Sequence, residues 1–128
     1  MKFEMKLPIL GFEDINEYIL EEIDEIVAKI TAVDNPSIGF TLINPYSLRE
    51  YSFDIPTAAR VLLDINEKSD LLVYSVLAMT KPYEKSVVNF LAPIVFNKSN
   101  KTAGQIILSE NSNPEFGYAQ EVSSFLVA

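Results

Sequence analysis

One stretch decides how this chain folds: Ser86-Val87-Val88-Asn89-Phe90-Leu91-Ala92-Pro93-Ile94-Val95-Phe96-Asn97. It is rich in β-branched and aromatic residues, which predicts a β-strand. Pro93 has no backbone N–H to donate to a neighbouring strand, and the polar residues Asn89 and Asn97 bracket the apolar run. We therefore expect an edge, bulged or bent strand, broken near Ala92-Pro93, in which both asparagines satisfy backbone groups.

Short alternating or apolar stretches, separated by turn residues, extend this pattern in both directions. Lys2 to Leu7 alternates as a half-buried strand does, and Asp70 to Thr80 is apolar on both faces, which predicts a central strand. The other predicted strands are Gly39 to Asn44, Glu50 to Ile55 and Gln105 to Ser109. This pattern predicts a mainly β fold: a small antiparallel β-barrel, closed or nearly closed, with one or two short helices.

Two segments predict the helices. Pro56 to Asn66 contains good helix formers, and Val61, Leu62 and Ile65 form its expected buried stripe. Glu115 to Val127 predicts a short amphipathic helix on the spacing of its apolar residues, which are Tyr118, Val122, Phe125 and Leu126.

The segment Ile15 to Val33 is compatible with two structures. Seven apolar residues recur at the helical period, which favours one amphipathic helix: Ile15, Tyr18, Ile19, Ile23, Ile26, Val27 and Ile30. The second half also alternates, with Ile26, Ala28, Ile30 and Ala32 on one side, which is typical of a strand. The residues alone leave both open.

Composition favours a small protein-binding domain. The chain has 128 residues, 48% of them apolar, which predicts a single domain over residues 1–128. It has no cysteine and no histidine, so disulfides, thiolate metal sites and the commonest general base are absent. The N-terminus lacks a hydrophobic signal core, and no apolar run is long enough to span a membrane. We expect a cytoplasmic protein.

The charge balance points away from nucleic acid. Ten Lys and Arg stand against eighteen Asp and Glu, giving a net charge of −8, and no basic stripe is visible. Many of the acids fall within the first twenty-five residues, where they form either a solvated face or a negative surface that attracts a basic partner.

No catalytic motif is present. The chain lacks GxSxG, P-loop and GxGxxG patterns, and its four glycines are scattered. Asp64, Glu67 and Asp70 cluster, but they lack the alternating oxygen ligands of a calcium loop, so a solvated helix end is the better interpretation. We expect a non-enzyme that needs no cofactor and no metal.

Taken together, the motifs resemble the FliW family of flagellar assembly factors. With the opening stretch, the resemblance covers the chain from about Met5 to Ser109. The other motifs that carry it are Leu7-Pro8-Ile9-Leu10-Gly11-Phe12-Glu13, Phe40-Thr41-Leu42-Ile43-Asn44-Pro45-Tyr46 and Tyr51-Ser52-Phe53-Asp54-Ile55-Pro56.

The resemblance implies both structure and partners. It implies strands at Glu17 to Leu20 and Ile26 to Ala32, with a helical turn around Glu22 to Val27. It also implies a cytoplasmic antagonist of CsrA, a small RNA-binding translational repressor, that binds flagellin as well. In this partner switch, accumulating flagellin takes the antagonist back from the repressor. We expect the chain to be monomeric alone and to bind no nucleic acid directly.

Two candidate partner-binding sites follow. For CsrA we choose the outward residues Glu50, Ser52 and Asp54 of the predicted strand, because the resemblance associates an acid at the position of Asp54 with repressor binding. The competing role of Asp54 is to cap the helix that begins near Pro56. For flagellin we choose a groove lined by Ile94, Val95 and Phe96, whose competing role is core packing.

Two other classes of function stay open. One is a small β-barrel ligand carrier or enzyme with an internal pocket, which convergent carboxylates in a deep cavity would favour. The other is a structural subunit that self-associates through a sheet edge. A filled core with an exposed apolar groove beside acids would favour a binding protein.

Overall fold

The computed structural model of this chain describes residues 1–82 and 85–125. The strands in chain order are β1 Lys2–Leu7, β2 Glu17–Glu22, β3 Val27–Ala32, β4 Gly39–Ile43, β5 Leu71–Ala78, β6 Val87–Val88, β7 Ile94–Asn97, β8 Thr102–Gln105 and β9 Gln120–Glu121. The helix α1 spans Thr57–Leu62, and 3-10 turns span Pro45–Ser47 and Val122–Ser124.

Seven strands close into a barrel, which confirms the predicted fold class. Their order is β4-β3-β2-β1-β8-β7-β5, and pairing of β4 with β5 completes the ring. The β1–β8 pair is parallel, so the barrel departs from the expected fully antiparallel form at this one junction of the ring. Strands β6 and β9 continue the sheet from β5 outside the ring.

The decisive stretch is broken, as its sequence predicts, but it is not an edge. Residues 89–93 separate β6 from β7, and Pro93 lies in the break, where no ladder N–H is required of it. The edge prediction is wrong because β7 lies between β5 and β8 and all four of its residues are buried. The proline therefore marks where the strand breaks rather than where the sheet ends.

Both asparagines of this stretch satisfy backbone groups, as predicted. The side-chain amide of Asn97, which is fully buried, donates to the carbonyl oxygen of Leu63 at 2.9 Å and accepts from the N–H of Ser99 at 3.1 Å. The Asn89 oxygen accepts from the N–H of Leu91 at 3.0 Å. Asn97 thus ties the end of α1 to the barrel.

The segment Ile15 to Val33 forms the β2–β3 hairpin, so the strands are confirmed and the single helix is excluded. The expected helical turn at Glu22 to Val27 is wrong. The chain bends there instead, and one carboxylate oxygen of Asp24 accepts from the N–H groups of Ile26 and Val27, both at 2.7 Å. An Asx-type turn satisfies the donors that a helical turn would have used.

The predicted helix after Pro56 forms, but with a different buried face. Val61 and Leu62 are exposed, whereas Ala59 and Leu63 are buried. The helix has six residues, so a single i, i+4 pair suffices to seat it on the barrel.

Two predictions near the end of the chain are wrong. The strand predicted at Gln105 to Ser109 occurs earlier, as β8, and residues 106–109 belong to no strand. In place of a helix at Glu115 to Val127, the chain forms β9 and the turn Val122–Ser124; Leu126 and Val127 lie outside the described residues. β-Pairing with β6 and contacts to the barrel override the helical spacing.

Buried side chains form two groups. The inner core lies inside the ring and comprises Phe3, Met5, Ile9, Tyr18, Leu20, Ala28, Ile30, Ala32, Leu42, Tyr74, Ile94, Phe96 and Ala103. The outer core lies between the barrel wall and the segments that cover it, and comprises Ile43, Leu48, Tyr51, Ala59, Leu63, Val88, Phe90, Leu91, Val95, Ile106, Leu108 and Phe116.

Candidate partner-binding surfaces

The first candidate surface is an extended segment that is not a strand. Residues 50–56 have no assigned ladder partner, which corrects the strand prediction for Glu50 to Ile55. The alternation is nevertheless present, because Tyr51 is buried, Phe53 and Ile55 are half-buried, and the residues between them are exposed. We call these exposed residues, Glu50, Ser52 and Asp54, the acidic strip.

Tyr51 anchors the acidic strip to the outer core. Its hydroxyl donates to the carbonyl oxygen of Phe90 at 2.7 Å, and its ring lies 4.7 Å from that of Phe116. Burial strongly raises the pKa of the Tyr51 phenol, so it stays protonated and keeps donating at physiological pH. The side chains on either side of it are therefore held outward.

Asp54 does not cap α1. The N-cap residue of the helix is Pro56, and no side chain makes a cap hydrogen bond there. The carboxylate is exposed at the rim of a hollow of about 480 Å³ that Ser52, Ile107 and Glu115 also line. The ion pairs seen among the described residues do not involve Glu50, Asp54 or Glu115. Three acids thus face solvent around one surface.

The predicted groove at Ile94, Val95 and Phe96 is wrong. All three side chains are fully buried: Ile94 and Phe96 belong to the inner core and Val95 to the outer core. Both faces of β7 are covered because the strand is central in the barrel wall. The competing expectation, core packing, is the one that applies.

A different apolar groove lies on the surface, beyond the point where β4 and β5 stop pairing with each other. Their pairing runs from Ile43–Ser75 to Thr41–Leu77. The next residues along, Phe40 and Ala78, pair with β3 and β6 instead, and both line the groove. Its volume is about 420 Å³. We call it the apolar groove, and it is lined by Ile9, Leu10, Phe12, Phe40, Val76, Ala78, Val87, Asn89, Ala92, Gln105, Ile107 and Tyr118.

Several groove residues expose large apolar areas. Leu10 is 72% exposed, Ile107 55% and Tyr118 53%. Sequence reasoning missed this groove because its residues come from six separate stretches. A local signal was available in Leu10, which lies between the turn-forming residues Pro8 and Gly11 and is nevertheless apolar.

The described residues form neither a metal-binding cluster nor a membrane-spanning helix. Within residues 1–82 and 85–125, no group of three or more acids is placed to hold a metal ion, and Asp70 of the predicted cluster pairs with Lys98 at 3.8 Å. In the same part of the chain, no helix has the length and apolarity needed to cross a bilayer.

Comparison with known proteins gives consistent matches. A family model described as "FliW protein" matches residues 1–120. "Flagellar assembly factor FliW 1" of Wolinella succinogenes is 50% identical over 126 residues, covering 98% of both chains. "Flagellar assembly factor FliW" of Sulfurimonas denitrificans is 44% identical over 98% of both chains, and that of Helicobacter pylori is 43% identical over 99% of this chain and 96% of the other.

A solved structure agrees in fold. The "Crystal structure of the flagellar assembly factor FliW" superposes with a TM-score of 0.85 at 24% identity and covers 94% of this chain and 84% of the other. The family match over most of the chain, the relatives at 43–50% identity and the shared barrel confirm the resemblance. This chain belongs to the FliW family of flagellar assembly factors.

Proposed function

We propose that this chain is a cytoplasmic regulator that binds and antagonises CsrA and also binds flagellin, in a switch that couples flagellin synthesis to assembly. It acts by protein binding and catalyses no reaction. One observation carries the proposal: Asp54 caps nothing and stands exposed on a strip that buried Tyr51 holds in place. The identity of the two partners, CsrA and flagellin, is inferred from membership of the FliW family.

The acidic strip supports an electrostatic contact with a basic partner. Glu50, Asp54 and Glu115 lie around one surface of a chain whose net charge is −8. Exposed charges attract over roughly 10 Å at 0.1 M salt and roughly 3 Å at 1 M. Association with CsrA is therefore fastest at low salt and slows as ions screen the strip.

The apolar groove supports a contact of another kind. It offers exposed leucine, isoleucine and tyrosine side chains, which suit the apolar face of an amphipathic helix. Flagellin binding at this groove depends on buried apolar area, so salt affects it much less than it affects CsrA binding.

The barrel interior favours a binding protein over a ligand carrier or enzyme. Phe3, Tyr18 and Phe96 are fully buried in the inner core, and Phe3 and Phe96 stack edge to face at 5.1 Å. The groove is open to solvent and its lining holds no carboxylate, so it lacks the convergent acids of a catalytic pocket.

A charge-reversal experiment tests the strip. Asp54→Lys puts a positive charge where CsrA's basic surface is expected, so binding should weaken by more than ~1 kcal/mol, because repulsion is added to lost attraction. Asp34→Lys, an exposed acid in the β3–β4 connection, makes the same charge change elsewhere and is the matched control. Titration calorimetry against CsrA and flagellin, with melting curves, gives the readout. A folded Asp54→Lys protein that binds CsrA as tightly as Asp34→Lys would remove Asp54 from the site.

A parallel pair of variants tests the groove. Leu10→Asp places a charge in the groove, at a residue that is 72% exposed and does not line the hollow beside Asp54, and should weaken flagellin binding while leaving the strip's own contacts with CsrA unchanged. Val61→Asp changes an apolar residue that is 73% exposed outside the groove, and should leave both affinities unchanged. Equal flagellin binding by the two variants would exclude the groove.

A further inference from the structure

Residues 113–125, which we call the strap, cross the outer core and border both candidate surfaces. Tyr118 lines the apolar groove. Glu115, three residues earlier, lines the hollow that contains Ser52 and Asp54 of the acidic strip. The strap is therefore a shared wall, and any displacement of it at the groove alters the surroundings of the strip.

Arg49 holds the strap against the barrel. Its guanidinium carbon lies 5.2, 4.9 and 5.3 Å from the ring centres of Phe90, Phe116 and Phe125, two of which belong to the strap. Its Nη1 donates to the carbonyl oxygen of Glu115 at 3.1 Å and to the side-chain oxygen of Gln120 at 3.2 Å. A planar guanidinium stacked on aromatic rings is a geometry that lysine cannot reproduce.

The other polar attachments of the strap to the barrel are few and local. Phe90 donates to the Gly117 carbonyl at 3.0 Å, Val122 donates to the Ser86 carbonyl at 2.8 Å, and β9 pairs with β6 over two residues. Gln120 also accepts from the N–H of Gly117 at 3.1 Å, so its side chain joins the strap's own turn to Arg49. Loss of the Arg49 contacts would leave the section between Glu115 and Gln120 weakly held.

Arg49 also adjoins the acidic strip along the chain, since Glu50 follows it directly. Its Nε is buried and has no hydrogen-bond partner among the described residues, so one donor stays unsatisfied while the strap is clamped. A rearrangement that gave this Nε an acceptor would offset part of the cost of releasing the strap.

We propose that Arg49 is a positioning residue that clamps the strap and thereby couples the apolar groove to the acidic strip. A partner that displaces Tyr118 from the groove wall pulls the Glu115 carbonyl from Arg49. Glu115 and Glu50 then lose their fixed positions, and the strip binds its basic partner more weakly. By linkage, the basic partner weakens groove binding by the same factor. This inference rests on the proposed function.

The test measures the coupling factor, which is the Kd of CsrA in the presence of saturating flagellin divided by its Kd alone. We expect a factor of at least tenfold for wild type and less than threefold for Arg49→Lys, which keeps the charge but loses the planar group that stacks on the rings. Arg60→Lys is the matched control: Arg60 bonds the Ile55 carbonyl at the other end of the strip's segment and should keep the wild-type factor. A melting curve monitors folding of each variant.

A second variant and a second readout keep the test independent of Arg49. Gln120→Met removes the shared acceptor and should also reduce the coupling factor below threefold. Hydrogen exchange at the Gly117 and Val122 amides should accelerate when flagellin binds wild type, and should already be fast in Gln120→Met without flagellin.

The outcomes separate this inference from the proposed function. If wild type shows coupling and Arg49→Lys and Gln120→Met keep the wild-type factor, the clamp is refuted and the proposed function stands, because the partners then compete by direct overlap. If wild type binds both partners without coupling, the clamp is refuted and the switch in the proposed function fails as well, while the two binding activities remain. If wild type binds neither partner, the proposed function fails and the coupling fails with it.

Discussion

The inner and outer cores are built in different ways. The inner core draws residues from all seven strands of the ring, and backbone ladders enclose it on every side. The outer core lies against one face of the wall and is covered by α1, the strip segment and the strap. Individual side-chain contacts hold these covers, among them Tyr51 to Phe90, Asn97 to Leu63 and Arg49 to Glu115.

This difference explains where the candidate surfaces are found. A side chain inside a closed ladder cannot be exposed without opening the barrel, so the inner core supplies stability and shape. A cover held by a few side-chain hydrogen bonds can present residues outward and can move at lower cost. Both the acidic strip and part of the apolar groove belong to the covers.

The largest expected effect separates the two cores directly. Phe96→Ala empties a fully buried site in the inner core and should lower the free energy of unfolding by ~3–5 kcal/mol. Phe116→Ala makes the same change in the outer core. It should lower the free energy of unfolding by less, because the strap can move into the space that the ring leaves. Urea denaturation measures both, and a larger loss for Phe116→Ala would invert the comparison.

The next effect concerns the contact between α1 and the barrel. Asn97→Leu removes two hydrogen bonds of a fully buried side chain: one donor to the Leu63 carbonyl, which still accepts from Asn100 and Thr102, and the acceptor for the Ser99 N–H. We expect a loss of ~1–3 kcal/mol in unfolding free energy. Asn100→Leu, at an exposed residue whose amide bonds the same carbonyl, should cost less because water can replace the lost bonds. Equal losses would show that Asn97 has no special part in seating α1.

A smaller effect tests the anchor of the acidic strip. Tyr51→Phe deletes the hydroxyl that donates to Phe90 and keeps the ring, so we expect a loss of ~0.5–1.5 kcal/mol and weaker CsrA binding. Tyr46→Phe, at a residue that is 51% exposed, should change neither the free energy of unfolding nor the affinity for CsrA by a measurable amount. An unchanged melting temperature and CsrA affinity for Tyr51→Phe would mean that packing alone holds the strip.

The smallest effect is a pH dependence at the β2–β3 turn. The N–H groups of Val27 and Ile26 lower the pKa of the Asp24 carboxyl below its ordinary value of 3.8. A carboxyl with a lowered pKa stabilises the folded state above its unfolded pKa, and that contribution disappears as pH falls through the folded pKa. Asp24→Asn should therefore have a slightly lower melting temperature than wild type at neutral pH and the same melting temperature in acid. A difference in melting temperature that stays the same in acid would contradict this role of the Asp24 carboxylate. An NMR titration of the carboxyl group measures its pKa directly.

Strands with a strong one-sided pattern were predictable, and those defined by a distant neighbour were not. β1 and β5 follow from their own residues. β8 does not, because Thr102 to Gln105 lacks bulky residues and owes its place to β1. A Cβ at Gly104 would lie 2.9 Å from the Cβ of Leu7, so glycine is what allows these strands to approach. Only the fold reveals that requirement.

The candidate site was predictable to a similar degree. Alternation at residues 50–55 correctly predicts which side chains face outward, because burial of Tyr51 on one side is enough to produce it. It cannot reveal that the segment lacks a partner strand. The burial of Ile94, Val95 and Phe96 depends on β7 being central, which Pro93 concealed. The apolar groove was not predictable because the fold assembles it from six separate stretches of the chain.

The central claim is that two separate surfaces on the covers serve two partners. Cross-saturation NMR on the labelled chain reports direct contact and tests this claim with each partner in turn. We expect CsrA to attenuate the signals of Glu50, Ser52 and Asp54, and flagellin to attenuate those of Leu10 and Phe12, which line the groove and not the hollow beside Asp54. Attenuation of one common set of residues by both partners, or of neither set by either partner, would contradict the account.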